Sequence, residues 1–361
     1  MGIRKSILPI GLAVMMVSVL GIIPADVFAT FPGNNGKITF DRNFGGGNRE
    51  VFVMNDDGSG KTQLTNDPGF DQPGSWSSDG TKIVFVSQVG GVGNNRQIWI
   101  MNEDGSGKTN LSQNAFDDAN PWLSPDGTKI VFESRRGGND LQVFVMNVDG
   151  SNQNNISMSS PDVDGNPNWS PLGSKIVFTR DTSGGSFEFD LWTMNADGSG
   201  KMNISNDVNS NDDDADWSPD GSKIVFESDR VGGPFINEIW TMNADGSMPT
   251  QITFNTNDDS NPNYSPDGKK IVFRTNRDGG NREIYVMNAD GSNPQNLSND
   301  PSSESSPHWQ PVSVLIGGTL LPIDSTSLIL AGAQMTAAWM IPVIIAGAGI
   351  VLVFVRKSKN S

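Results

Sequence analysis

The 361-residue chain contains no cysteine and a single histidine. Without thiols no disulfide can staple the fold and no thiolate can ligate a metal, so the core must suffice by itself. A lone His308 leaves a Ser-His-Asp triad or a histidine-rich zinc site only one candidate. Set between Pro307 and Trp309, it suits a packed or capping role better. Positive charge is scarce as well: 25 Lys and Arg stand against 41 Asp and Glu, a net charge of −16. Such a body repels nucleic acid and anionic headgroups and attracts cations or basic partners. The middle of the chain has no apolar pattern with a period near 3.6, which excludes a helical solenoid.

Long apolar runs occur only near the two ends. Arg4 and Lys5 precede an apolar stretch at 7–23, and "DVFA" ends in a small-x-small pattern. This reads as a secretory signal, residues 1–29, cleaved after Ala29. Residues 328–355 carry no charge and are followed by "RKSKNS". About 20 apolar residues span a bilayer, so this stretch reads as a transmembrane anchor. Pro342 would be its kink and Trp339 its headgroup-level anchor. Residues 312–327 would be the linker and 356–361 a basic cytoplasmic tail, leaving 30–311 outside the cell. Between the terminal segments 20 basic and 39 acidic residues remain, a net charge of −19.

The middle is a repeat. "VMNDDGSGKTQLT" at Val53 has five further copies, with their methionines at 54, 101, 146, 194, 242 and 287. A second motif keeps the same rhythm: "WSSDGTKIVF" at Trp76, then copies at Leu123, Trp169, Trp217 and Tyr264. Each period reads as an aromatic strand, an Asp-Gly turn, a Lys-Ile-Val-Phe strand and a Gly/Asn-rich loop. A strand like Glu-Ile-Trp-Thr-Met, another Asp-Gly turn and a short polar strand complete it. The second and third strands are apolar on consecutive residues, which requires burial on both faces. Small four-stranded sheets stacked around an axis satisfy this, giving an all-β, six-bladed propeller. A parallel β-helix is the rival, but its repeats are usually shorter. The chain enters at residues 34–40 with a second strand and leaves at 306–311 with an aromatic first strand, so the two ends complete one blade.

The combined pattern Pro-x-Trp-Ser-Pro-Asp-Gly-x-Lys-Ile-Val-Phe and Ile-Trp-Thr-Met-Asn-x-Asp-Gly resembles the WD40-like repeats of TolB-type β-propellers across residues 34–311. The resemblance implies the fold more strongly than any function. TolB proteins place a small α/β domain before the propeller, and this chain has no room for one. Related propellers gate serine peptidases, but no hydrolase domain follows here. The C-terminal tail is similar to anchors of archaeal surface proteins.

In "MNDDGSG" the residues Asn55, Asp57 and Ser59 would serve a calcium loop. Such a loop needs six or more oxygens and a later bidentate acid, which is missing. A phosphate cradle needs a helix N-terminus, and a strand follows instead. A type I turn ending in Gly at positive φ fits. The long loops between second and third strands, and between blades, share one side of the disc and are the expected binding surface. Asp71, Asp118, Asp164, Asp212, Asp259 and Glu304 stand five residues before each aromatic anchor (Leu123 being the third) and should rim the channel mouth. They would hold a divalent cation such as Ca2+ or a basic partner segment, or else be stitched to Arg42, Arg135, Arg180, Arg230 and Arg277. The arginines favour stitching, and residues 211–217, "NDDDADW", are the richest local site for a cation. No catalytic residue or cofactor site is assigned. Asn110, Asn155, Asn203 and Asn296 sit in Asn-x-Ser sequons of one register, a plausible glycosylation face on the outer strand. Asn168 and Asn263 should be blocked by the inner strand. The reading is a monomeric, anchored binding or scaffolding module for protein, glycan or envelope partners. A cation-dependent lyase or hydrolase at the acidic channel mouth is the alternative.

Overall fold

The computed structural model describes residues 34–88, 95–136, 140–158, 161–181, 188–207, 210–231 and 236–312. The expected leader and C-terminal anchor lie outside the described residues, among which no helix is long and apolar enough to cross a membrane.

The described residues form 24 strands in six four-stranded antiparallel sheets. Five sheets use consecutive strands, for example Asp71–Trp76, Lys82–Ser87, Gln97–Asn102 and Thr109–Asn110. The sixth joins Glu304–Val312 to Asn34–Gly45, Asn48–Met54 and Thr62–Gln63. There Ile38 lies opposite Trp309 and Thr39 opposite His308. The molecule is therefore a six-bladed propeller closed by strands from both ends of the described chain. The split blade is numbered 1 below, and the blade beginning at Asp71 is blade 2.

Consecutive burial in the Lys-Ile-Val-Phe strands follows from stacking. In blade 5, Ile224 and Phe226 pack with Val177 and Leu191 of blade 4. The intervening Val225 packs instead with Ile271 and Phe273 of blade 6. Alternate residues thus serve opposite neighbours, and all three are fully buried. Each such side chain contributes about 1.5–3 kcal/mol on leaving water.

The Asp-Gly turn between third and fourth strands is a self-contained hydrogen-bonded unit. Gly58 N donates to Asn55 O at 3.0 Å and Ser59 N to the Asp57 carboxylate at 2.9 Å. Asn55 Nδ2 donates to Ser59 Oγ at 3.0 Å. The three candidate calcium ligands of the sequence thus bond within their own turn. Gly58 has φ 83°, and a methyl there would meet Leu297 O of blade 6 at 2.4 Å. At Gly246 the corresponding contact, with Ile204 O, is 2.1 Å. Glycine is needed for the left-handed backbone and for the close approach of the preceding blade. The sequence showed only the first reason.

Candidate functional site

The first strands line the axis, and each carries a break in its register. In blade 3 the ladder shifts between Ala119 and Trp122, around Asn120 at φ 48°. Asn166, Asp214, Asn261 and Ser306 take the same left-handed conformation at the same place, which Asn and Asp tolerate best. Blade 2 has Pro73 there, followed by Gly74. The bulge turns two residues of each strand toward the axis, in two tiers. One tier is Asn120, Asn166, Asp214, Asn261 and Ser306; the other is Ser75, Trp122, Asn168, Asp216, Asn263 and His308.

Two cavities lie along this axis. One of about 140 Å³ is walled by Trp76, Trp169, Trp217, Tyr264 and Trp309 toward the turn face. The other, of about 70 Å³, is lined by Gln72, Asn120, Asn166, Asp214 and Asn261 toward the loop face. Trp122, Asp216 and His308 line both and so form the partition between them. The Trp122 indole meets the His308 ring edge-on at 5.1 Å. Asp216 accepts from Asn168 Nδ2 at 2.7 Å, Asn263 Nδ2 at 2.9 Å and Tyr264 N at 2.7 Å. Burial outweighs these donors and pushes its carboxyl up to about 7. Burial also pushes His308 down to about 4, and its Nδ1 has no hydrogen-bond partner. Behind the loop-side tier stand the buried Glu133 and Glu227, which accept from Asn166 N at 3.0 Å and Asn261 N at 2.7 Å.

The six acids of the sequence register open the first strands but do not converge. Each is fully or almost fully buried, and five are bound by an arginine of their own blade. Arg180 meets Asp164 at 2.7 and 2.9 Å, Arg136 meets Asp118 at 2.6 Å and Arg277 meets Asp259 at 2.8 Å. Arg230 pairs with Asp212, and Arg42 meets Glu304 at 2.6 Å. Two details differ from expectation. Arg136 holds Asp118, whereas the sequence pointed to Arg135. The pairs also tie first to second strands within a blade, reaching outward where Arg42 adds Asp300 at 2.8 Å, Arg230 adds Asp207 at 3.6 Å and Arg180 adds Asp162 at 3.9 Å. The acids of "NDDDADW" disperse: Asp212 to Arg230, Asp213 to Asn166 and Thr179, Asp214 to Asn261, Asp216 to the partition. Among the described residues no group of three or more His, Asp or Glu side chains is arranged to hold a metal ion.

Comparison with known families decides the relationship. The family described as the TolB beta propeller domain matches residues 92–189, 159–276 and 236–317. The chain belongs to the TolB β-propeller family. Among solved structures, TolB from Acinetobacter baumannii superposes with a TM-score of 0.65 at 19% identity, covering 76% of this chain and 67% of that one. A putative TolB from Agrobacterium tumefaciens gives 0.57 at 20%, covering 73% and 89%. An oligogalacturonate lyase from Vibrio parahaemolyticus gives 0.51 at 16%, covering 79% and 78%. At these identities the likeness is one of fold. Curated proteins give no sequence match.

In this TolB-type propeller the outer-strand sequons have a structural use. Asn110, Asn155, Asn203 and Asn296 lie opposite Trp99, Phe144, Trp192 and Tyr285 in one register. Asn296 accepts from Asn299 N at 2.8 Å and Asn203 from Asn206 N at 2.8 Å, closing the turn that leaves the blade. Three of the four sequon serines, Ser112, Ser157 and Ser298, are buried: Ser112 Oγ accepts from Ile98 N and donates to Gln97. Asn168 and Asn263, 3% and 6% exposed, are committed to Asp216.

The titrating groups predict a pH profile. Asp71 is pushed up to about 6, and Asp214 and Asp216 to about 7, chiefly by burial. Between their ordinary value near 4 and these values each of the three binds more protons folded than unfolded, so stability falls as pH rises through that window; His308, lowered to about 4, opposes this below 6.5 as one group against three. The exposed turn carboxylates Asp57, Asp197 and Asp245 are held low by the following serine hydroxyl and N–H. Their contribution is present above the unfolded value and is lost as pH falls toward 2. The melting temperature should therefore peak near pH 4–5 and decline toward pH 8. Calorimetry of Asp216→Asn should show a shallower decline, and an unchanged slope would refute the assignment.

Proposed function

We propose that this TolB-type propeller is an exported binding module, anchored by residues 328–355, whose loop face docks a protein partner of the cell envelope. The observation that carries this is the composition of that face. Phe44, Phe116, Met158, Val231 and Phe254 are exposed large apolar side chains, 46–80% accessible, on second-to-third or inter-blade connections that all open on one side. Of the nine exposed large apolar side chains among the described residues these five share the loop face, against Leu172 and Met248 on the turn face, and such an excess on one face marks interaction surfaces. They surround a channel end where Glu133, Asp213, Asp214 and Glu227 face Arg96, Arg274 and Arg282, and the acidic excess suits a partner segment bearing positive charge.

Photo-crosslinking tests this. With a photoreactive residue at Phe116, on the loop face, the full-length protein in its envelope should give a discrete cross-linked product. The same residue at Asp149, in an exposed turn on the opposite face, should give none. Products from position 149 alone, or from neither, would overturn the reading.

A further inference from the structure

Five blades contain the same internal ion pair, and blade 2 does not. In each of the five, an arginine lies over an aromatic pair contributed by the second and third strands. The guanidinium-to-ring distances run from 4.6 Å (Arg42 over Phe52) to 6.0 Å (Arg42 over Phe40). The arginine stands two residues after the second-strand Phe in blades 1 and 4, and four after it in blades 3, 5 and 6. In blade 2 those positions are Ser87 and Val89, and residues 86–95 contain no Lys or Arg. The rest of the arrangement is kept. Phe85 lies opposite Trp99 with ring centroids 6.3 Å apart, and Asp71 lies opposite Ser87 as Asp164 lies opposite Arg180.

Asp71 is 1% exposed, and neither of its oxygens has a hydrogen-bond partner. Burial raises its carboxyl, the nearby Ser87 and Thr65 hydroxyls relieve this only in part, and Glu50 and Asp67 raise it further. Arg49, the nearby cation, is held by Asp41 at 2.9 Å. Four residues before the acid, blades 3 and 6 place an amide donor, Asn114 and Asn255, which bond Asp118 and Asp259. Blade 2 places Asp67 there. Blade 1 shows what such a pair of acids accepts, because Arg42 bridges Asp300 at 2.8 Å and Glu304 at 2.6 Å. Blade 2 therefore offers two carboxylates and an aromatic pair, the set that surrounds Arg42 in blade 1, without a cation paired to Asp71 among the described residues.

We infer that blade 2 carries a binding slot for a guanidinium group supplied in trans, by an arginine side chain of a partner, held between Asp67, Asp71 and the Phe85–Trp99 pair. Arginine suits it better than lysine because a planar, weakly hydrated cation both stacks on the rings and pairs with carboxylates. The slot lies one side chain beneath the loop face, where the five resident arginines keep 8–19% exposure.

The probe is N-acetyl-arginine-N-methylamide, with its citrulline analogue as the uncharged isostere, titrated into the full-length protein by calorimetry and Trp fluorescence. The arginine compound should bind saturably and at least tenfold more tightly than the citrulline compound. Asp71→Asn should lose that preference. Ser87→Arg, which supplies the guanidinium from the register used by Arg42 and Arg180, should lose binding while melting at a higher temperature than the native chain. Equal affinity for the two compounds, or native-like arginine binding by either folded variant, would overturn the proposal. Loss of cross-linking from Phe116 with arginine binding intact would instead count against the docking surface alone.

Discussion

Deleting residues 304–312 should abolish cooperative folding of the whole propeller, although it removes one strand of 24. That strand supplies the inner edge of blade 1, and it ties blade 1 to both neighbours. Trp309 packs with Ile38, Phe40 and Met54 of its own blade and with Val272 and Ile284 of blade 6. Gln310 Nε2 donates to Gly80 O of blade 2 at 2.7 Å, and Gln72 Nε2 donates to Ser306 Oγ at 2.7 Å. Without the strand, Arg42 is left buried beside an aromatic pair without Glu304, and the Asn34–Gly45 strand presents an unpaired edge. A domain whose total stability is about 5–15 kcal/mol does not survive such a sum of losses. The truncated chain should show no sigmoidal thermal transition by circular dichroism.

A circular permutant distinguishes loss of this strand from mere shortening. Val312 lies opposite Asn34, so residues 304–312 placed ahead of residue 34 through a two-residue hairpin turn restore the blade in the order used by the other five. The permutant should melt within a few degrees of the native chain, by the roughly 2–4 °C per kcal/mol expected for domains of this class. A truncated chain that melts cooperatively near the native temperature, or a permutant that remains unfolded, would mean that the ring is not held by its seam.

The closure was legible because its evidence repeats. The Ile-Val-Phe run recurs in five blades with a variant at Ile38–Phe40, and a strand found at one end without its partner has to look for it at the other. The channel was not legible for the opposite reason. Ser75, Trp122, Asn168, Asp216, Asn263 and His308 share one place on the axis but no chemical type, so nothing in the repeat marks them. One signal was present. Trp122 stands one residue ahead of Leu123, which pairs with Ile130 as Trp169 pairs with Ile176. Reading the position before each anchor, rather than five before it, would have assembled this tier. The acids were found by register and misplaced by geometry, because their arginines draw them into the blade and away from the axis. Arg136 was missed because it follows the strand, where loop conformation and not strand register decides which of two adjacent arginines turns inward. The long-range role of the turn glycines was hidden too, since a contact with the preceding blade leaves no trace in local sequence.

Asp164→Asn should be among the most damaging single changes that preserve side-chain size. The Arg180 guanidinium binds Asp164 through two parallel contacts and lies 5.3 Å from the Phe178 ring and 4.8 Å from Trp192. Its side chain is 8% exposed and that of Asp164 is fully buried. Salt does not screen such a pair effectively. Removing the Asp164 charge leaves the buried Arg180 only the longer contact to the partly exposed Asp162 at 3.9 Å, a loss of about 3–5 kcal/mol. For a chain of this size that corresponds to roughly 6–20 °C in melting temperature. Replacing both members by apolar residues, Asp164→Leu with Arg180→Met, should be milder than either single change, since no buried charge then remains. Blade 2 supplies the control. Asp71→Asn removes a buried carboxylate that has no cation, so its effect should be within about 1 kcal/mol of zero or stabilising. Equal losses for Asp164→Asn and Asp71→Asn would show that the arginines are passengers on the aromatic pairs and that burial alone sets the energetics of these positions.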